Sequence, residues 1–85
     1  MPSPKLYRLA PGDKIEFEDL DPENWPYYIF LGEERLKTLP EKYKDAKGNV
    51  KARVYAYVPS RSFARETISI QDKSGTRRVG TALEK

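Results

Sequence analysis

The 85-residue sequence contains no cysteine and no histidine. Without cysteine, the chain can form neither a disulfide framework nor a thiolate zinc site. Without histidine, it lacks the commonest metal ligand, the usual acid–base group near neutral pH, and every Ser-His or Cys-His nucleophile pair. We therefore expect a protein that is not an enzyme and that binds no metal and no cofactor.

Long apolar runs are also missing from the sequence. No stretch approaches the ~20 consecutive apolar residues that a membrane-spanning helix needs. The N-terminal residues do not resemble the apolar core of a signal peptide. A cytoplasmic location without a membrane partner is the expectation that follows.

The length allows one small domain. A chain of this size buries only about 60–65% of the surface that it exposes when unfolded, so it has a single core. Residues 1–5, with prolines at positions 2 and 4, are predicted to be a flexible N-terminus. Residues 6–85 are predicted to form one β-barrel domain.

The net charge of +3 hides an asymmetry along the chain. Residues 1–50 carry 8 Lys and Arg against 10 Asp and Glu, a net charge of −2, whereas residues 51–85 carry 8 against 3, a net charge of +5. This distribution predicts that the folded surface has two electrostatic poles.

The stretch from Asn49 to Pro59 has the longest unbroken two-residue period. Its valines and alanines fall on one side of a strand, and a mixed basic and aromatic set falls on the other. Cations that follow phosphates and rings that stack on bases are what single-stranded nucleic acid requires. The candidate nucleic-acid-binding residues are Lys51, Arg53, Tyr55 and Tyr57 on the strand, Arg61, Phe63 and Arg65 in the next loop, and Arg77 and Arg78 on the last strand.

Each of these residues also has an ordinary structural interpretation. Tyr55 and Tyr57 could pack under a helix or a loop while the nearby cations only keep the surface soluble. Arg77 and Arg78 are consecutive, so only one of them can join the outer face unless the register is disrupted. Such a pair also protects an edge strand against aggregation.

The remaining pattern predicts a mainly β protein, namely a small antiparallel barrel of five to six strands that is OB-like or SH3-like, with one short helix. The helix is predicted from the capping-box sequence that runs from Thr38 to Glu41, with Pro40 in the first helical turn. An alternative interpretation makes residues 45–49 the loop of a long hairpin. Gly80 is expected at a bulge or a close approach. The predicted core contains Ile15, Phe17, Ile29, Val50, Val54, Val58, Ile68, Ile70 and Val79.

Two functions compete at this point. The first is non-catalytic binding of nucleic acid, with single-stranded DNA or RNA favoured, on the basic and aromatic sheet face. The alternative is a small regulator or inhibitor, of the kind that a virus or mobile element encodes, which docks on a partner protein. The candidate partner-binding residues are Trp25 and Tyr27 in the proline-bounded loop, together with the acidic residues Glu16, Glu18, Asp19, Asp21 and Glu23.

Overall fold

The computed structural model describes residues 5–85 and confirms that the protein is mainly β. Lys5, predicted to belong to the flexible N-terminus, instead begins the first strand, and residues 1–4 lie outside the described residues. The described part of the chain contains eight strands: β1 (Lys5–Leu9), β2 (Lys14–Leu20), β3 (Tyr28–Leu31), β4 (Glu34–Arg35), β5 (Thr38–Lys44), β6 (Val50–Tyr57), β7 (Thr67–Asp72) and β8 (Gly75–Glu84).

The strands form two sheets. One is five-stranded, in the order β1-β8-β7-β3-β4, and the other is three-stranded, in the order β2-β6-β5. Every neighbouring pair is antiparallel except β1 and β8, which run parallel. The number of strands therefore exceeds the five to six expected from the sequence, and barrel closure stays a prediction.

The helix predicted after Thr38 is wrong, because Thr38–Lys44 is strand β5. All seven of its residues pair with β6, from Thr38 opposite Ala56 to Lys44 opposite Val50. The alternative interpretation of residues 45–49 as a hairpin loop is correct, since the Asp45 carboxylate accepts hydrogen bonds from the backbone N–H groups of Lys47 and Asn49 at 2.9 Å each. The long ladder with β6 outweighs a capping signal that would support only two helical turns.

The helical element that the described residues do contain is a 3₁₀ turn at Pro22–Asn24, capped by the Asp21 carboxylate. Within residues 5–85, no helix has the length and apolar character needed to cross a membrane.

The core lies between the two sheets and contains most of the predicted residues. Val50 is an exception, because it stands at the open start of β6 and is 49% exposed. Phe17 and Val79 are only partly buried and pack against the margin of the core. The residues buried as predicted are Ile15, Ile29, Val54, Val58, Ile68 and Ile70, and the core also takes in Leu9, Tyr27, Leu31, Leu36, Phe63 and Ala82.

Gly80 combines the two roles expected of it. The pairing of β7 with β8 shifts between Ile68 and Ser69, which leaves Val79 as an extra, bulged residue beside it. A Cβ atom on Gly80 would collide with the carbonyl oxygen of Lys5 and lie 2.6 Å from the Tyr7 ring. The absence of a side chain at this position is therefore what lets β1 dock against β8.

Candidate nucleic-acid interface

The outer face of the three-stranded sheet carries the side chains that the alternation in β6 predicted. Ala52, Val54 and Ala56 are completely buried, whereas Lys51, Arg53 and Tyr55 are partly exposed and Tyr57 is 55% exposed. Residues paired on neighbouring strands point to the same side of a sheet. We call this surface the three-stranded face, and its outward residues are Lys14, Glu16, Leu39, Glu41, Tyr43, Lys51, Arg53, Tyr55 and Tyr57.

Every cation on the three-stranded face forms an ion pair with a carboxylate. The Arg53 guanidinium pairs with Glu41 on β5, with its Nε 2.8 Å from Oε1 of Glu41. Lys51 Nζ lies 3.5 Å from Oδ1 of Asp19 at the bulge in β2. Lys14 Nζ lies 3.3 Å from Oε2 of Glu16. The acidic stretch therefore lies beside the basic strand, and these parts of the two chain halves do not form separate electrostatic poles.

The electrostatics of Arg53 reflect this pairing. Its hydrogen bond to the Glu41 carboxylate raises the pKa of the guanidinium above its usual value, and the charges of Glu18 and Glu16 act in the same direction. A phosphate approaching Arg53 would have to compete with a carboxylate already in place and pass other negative charges. This arrangement disfavours phosphate binding at the centre of the three-stranded face.

Cations also cover the tyrosine rings of this face. Lys14 Nζ lies 4.5 Å from the centre of the Tyr55 ring, and Arg53 Cζ lies 4.8 Å from that of Tyr43. Tyr55 and Tyr57 meet edge to face, with 6.1 Å between ring centres. The tyrosines therefore pack neither under a helix nor in the core, but Tyr57 is the one that presents a large exposed surface.

The sequence predicts that the loop after β6 extends the basic and aromatic surface, but the structure does not place Phe63 there. Phe63 is 1% exposed and belongs to the core, because its backbone N–H is anchored by the Glu84 carboxylate at 2.7 Å and its ring is directed between the sheets. This hydrogen bond also holds the pKa of Glu84 below its usual value.

Arg61 has a structural role in the same loop. Its guanidinium forms ion pairs with Glu66 at 2.6 Å and with Glu34 at 2.8 Å, and the pair with Glu34 holds the loop against the β3–β4 hairpin. The hydrogen bonds to Glu66 and Glu34 raise the pKa of the guanidinium above its usual value. Arg65 is the member of the predicted loop set that remains exposed without an ion pair within residues 5–85.

The proposed partner-docking loop is also largely integrated into the fold. Tyr27 is 2% exposed, and its hydroxyl donates a hydrogen bond to the carbonyl oxygen of Asp21 at 2.5 Å. Trp25 packs against the core, and Lys42 Nζ lies 5.0 Å from its ring. Tyr27 is therefore too deeply buried to project as an anchor, whereas Trp25 is only partly buried and its role in partner docking stays a prediction. Asp21 and Glu23 remain on the surface.

A second candidate surface lies on the opposite side of the molecule, on the outer face of the five-stranded sheet. Pairing places Arg35 of β4, Phe30 of β3, Ser69 of β7 and Arg78 of β8 side by side in one row across the sheet. Three gaps between neighbouring strands separate the two arginines, a distance of about 14 Å between backbones. An aromatic residue therefore lies between two arginines in this row.

The aromatic side chains of this row are directed away from the core. Tyr28 and Phe30 are half-buried, whereas Ile29 and Leu31 between and after them are completely buried. Within residues 5–85, neither aromatic residue belongs to the core or to the hydrophobic residues packed against it. Arg35 Cζ lies 4.9 Å from the centre of the Tyr28 ring, so these two residues form a cation–π contact.

We call this surface the arginine face. Its three arginines, Arg8, Arg35 and Arg78, are exposed, and none of them forms an ion pair within the described part of the chain. The strand positions that point outward here include no aspartate or glutamate. They are Leu6, Arg8, Tyr28, Phe30, Arg35, Thr67, Ser69, Gln71, Thr76, Arg78, Thr81 and Leu83.

The two consecutive arginines of β8 behave as strand alternation requires. Arg78 pairs with Ser69 and joins the arginine face, whereas Arg77 pairs with Ile70 and points to the opposite side. Arg77 is nevertheless exposed, although Ile70 opposite it is buried. The hydrogen bond from Ser74 lowers the pKa of nearby Asp72, and the charge of Arg77 acts in the same direction.

Sequence reasoning missed the arginine face because β3 consists of apolar residues throughout. Such a composition is typical of a strand that is covered on both sides. The signal that could have revealed its open side lies in β7, where Ser69 and Gln71 alternate with Ile68 and Ile70. A strand with a polar outer side indicates that its neighbours in the sheet are also open to solvent on that side.

Within residues 5–85, no group of three or more Asp or Glu side chains is placed to hold a metal ion. Comparison with protein-family models, with curated proteins and with solved structures finds no match.

Proposed function

We propose that the protein binds single-stranded nucleic acid on the arginine face, without catalysis. The observation that supports this proposal is the row formed by Arg35, Phe30, Ser69 and Arg78. It combines an outward-facing, half-buried ring with two cations that pair with no carboxylate within residues 5–85. The two guanidinium groups would bind phosphates, which they can contact through two parallel hydrogen bonds. Bases would stack on Phe30 and Tyr28.

The shape of the surface favours a single strand over a duplex. The rings of Tyr28 and Phe30 are half-buried in an open sheet, so they can stack only on bases that are not already stacked and paired in a duplex. The major groove of DNA is usually read by an inserted helix or a two-stranded ribbon. The arginine face presents neither, because its residues lie on the broad side of a five-stranded sheet.

This proposal moves the binding site away from Lys51, Arg53, Tyr55 and Tyr57. The cations of that set are paired with carboxylates, whereas Arg8, Arg35 and Arg78 form no ion pair within residues 5–85. Unpaired cations release more free energy on binding a phosphate because no existing ion pair has to be broken. An OB-like or SH3-like barrel remains our proposal for the architecture, but binding needs only the open sheet face.

The experiment compares arginines from the two faces. Fluorescence anisotropy of a labelled, mixed-sequence single strand is measured at about 50 and 200 mM salt for the wild type and for R35A, R78A and R53A. R35A and R78A are expected to weaken binding to all sequences and to reduce the salt slope by about one unit or less each. R53A is the matched control and is expected to bind like the wild type.

The results distinguish the two faces. Loss of binding in R53A but not in R35A or R78A would assign the site to the three-stranded face. No binding by the wild-type protein, even at low salt, would remove nucleic acid as the ligand.

A second candidate function is docking on a partner protein through the three-stranded face. The observation that favours it is the exposure of Tyr57 and Leu39, 55% and 40%, on a surface whose charges are paired. Tyrosine and arginine are enriched among the residues that dominate protein interfaces. If the wild type binds no nucleic acid, a Tyr57→Ala variant that loses partners captured by the wild type would support this function.

A further inference from the structure

We infer that the arginine face selects RNA over DNA by contacting ribose 2′-hydroxyl groups. This inference rests on the proposed binding of single-stranded nucleic acid, and it adds the class of sugar that the site prefers. It follows from the side chains that lie beside the row of arginines and rings.

A row of hydroxyl groups adjoins the arginine row. Thr67 of β7 pairs with Thr81 of β8, and Thr67 lies two residues from Ser69 on the same side of the same strand. All three side chains are half-buried. Within residues 5–85, the hydroxyls of Thr67 and Ser69 form no hydrogen bond to another protein group, so they remain available to a ligand.

Thr81 links this hydroxyl row to a phosphate-binding cation. The Arg78 guanidinium donates a hydrogen bond from Nη2 to Oγ1 of Thr81 at 2.8 Å. A hydroxyl has one hydrogen to donate and two lone pairs to accept with, so Thr81 keeps its own hydrogen free. Arg78 and Thr81 can therefore contact the phosphate and the sugar of one nucleotide together.

The ribose 2′-hydroxyl is the matching group, because it both donates and accepts hydrogen bonds and is the group by which proteins distinguish RNA from DNA. A bound strand would cover Thr67, Ser69 and Thr81 and remove them from water. With RNA these hydroxyls gain partners. With DNA, Thr67 and Ser69 would be left without partners under the strand, and Thr81 would have no acceptor for its own hydrogen, which is unfavourable.

The test compares RNA and DNA strands of identical sequence, each titrated into the wild type and into a T67V/T81V double variant. Valine keeps the shape of threonine but has no hydroxyl, and it suits a strand. We expect the wild type to bind RNA about tenfold more tightly, the equivalent of one or two hydrogen bonds. We expect the double variant to reduce this ratio to about one.

A thermal melt establishes that the double variant is folded, and an S60A variant serves as the hydroxyl-removal control because Ser60 is exposed in the loop after β6 and is not part of the arginine face. S60A should retain the RNA preference. Equal wild-type affinity for RNA and DNA would overturn this inference and leave the proposed function intact. A double variant that kept the preference would also overturn it, whereas no binding to either strand would refute the proposed function itself.

Discussion

At the scale of single residues, two phenylalanines of this small protein illustrate how position determines role. Phe63 is 1% exposed and fills the core, although it lies in a polar loop between arginines. Phe30 lies in an apolar strand, yet its ring points outward beside Arg35 and Ser69. The local composition around each ring therefore suggests the opposite of its actual environment.

Alanine substitution is expected to separate these two roles. F30A should weaken single-strand binding by about 1–3 kcal/mol through lost stacking, with little change in melting temperature. F63A should instead destabilise the fold by about 3–5 kcal/mol, because it leaves a cavity between the sheets. Circular-dichroism melts and anisotropy titrations measure the two effects. A large loss of stability in F30A would show that its ring supports the fold.

At the scale of elements, β1 is held by a close contact that depends on one glycine. β1 is the edge strand of the five-stranded sheet and pairs with β8, and Gly80 lies where an added Cβ atom would collide with the Lys5 carbonyl oxygen. The docking of β1 also positions Arg8 on the arginine face. Detachment of β1 from β8 would therefore also remove Arg8 from the arginine face.

Gly80→Ala tests this contact. The added methyl group would meet the Lys5 carbonyl and the Tyr7 ring, so we expect a destabilisation of about 1–3 kcal/mol. Urea denaturation measures the change, and hydrogen exchange should show faster exchange in β1 than in β6. Thr76→Ala, at an exposed position of β8, is the control and should have little effect. Unchanged protection of β1 in the glycine variant would contradict this account.

At the scale of the whole molecule, the two sheets bury one core and leave two outer faces of different electrostatic character. The acidic residues of β2 and β5 lie beside β6 and neutralise its cations. Among the residues that the structure describes, the outward-facing arginines of β1, β4 and β8 meet no carboxylate on their own face. The excess positive charge of the protein is therefore partly concentrated on one side of the five-stranded sheet.

The stability of this arrangement is expected to depend on the centre of β6. Val54 is completely buried between the sheets, and Val54→Ala should lower the free energy of unfolding by about 1–3 kcal/mol. Val50→Ala, four residues earlier on the same strand but at an exposed position, should change it by no more than about 0.5 kcal/mol. Urea denaturation of both variants measures the difference. Equal losses would mean that the core extends to the start of β6.

Structural properties that depend on residues adjacent in the sequence could be predicted from the sequence alone. Apart from Val50, the two-residue period of β6 correctly assigned the buried and the exposed side of the strand. Strand alternation is a local property of the backbone, so it can be recognised without knowing which strands are neighbours.

Which strands lie side by side was decided only by the tertiary structure. The helix expected after Thr38 became a strand because β6 offered it a full ladder, and the basic face of β6 was neutralised because β2 and β5 brought carboxylates to it. The arginine face is built from residues 43 positions apart in the sequence at Arg35 and Arg78. Its composition depends on long-range pairing, and the alternation within a single strand is the same whichever strand pairs with it.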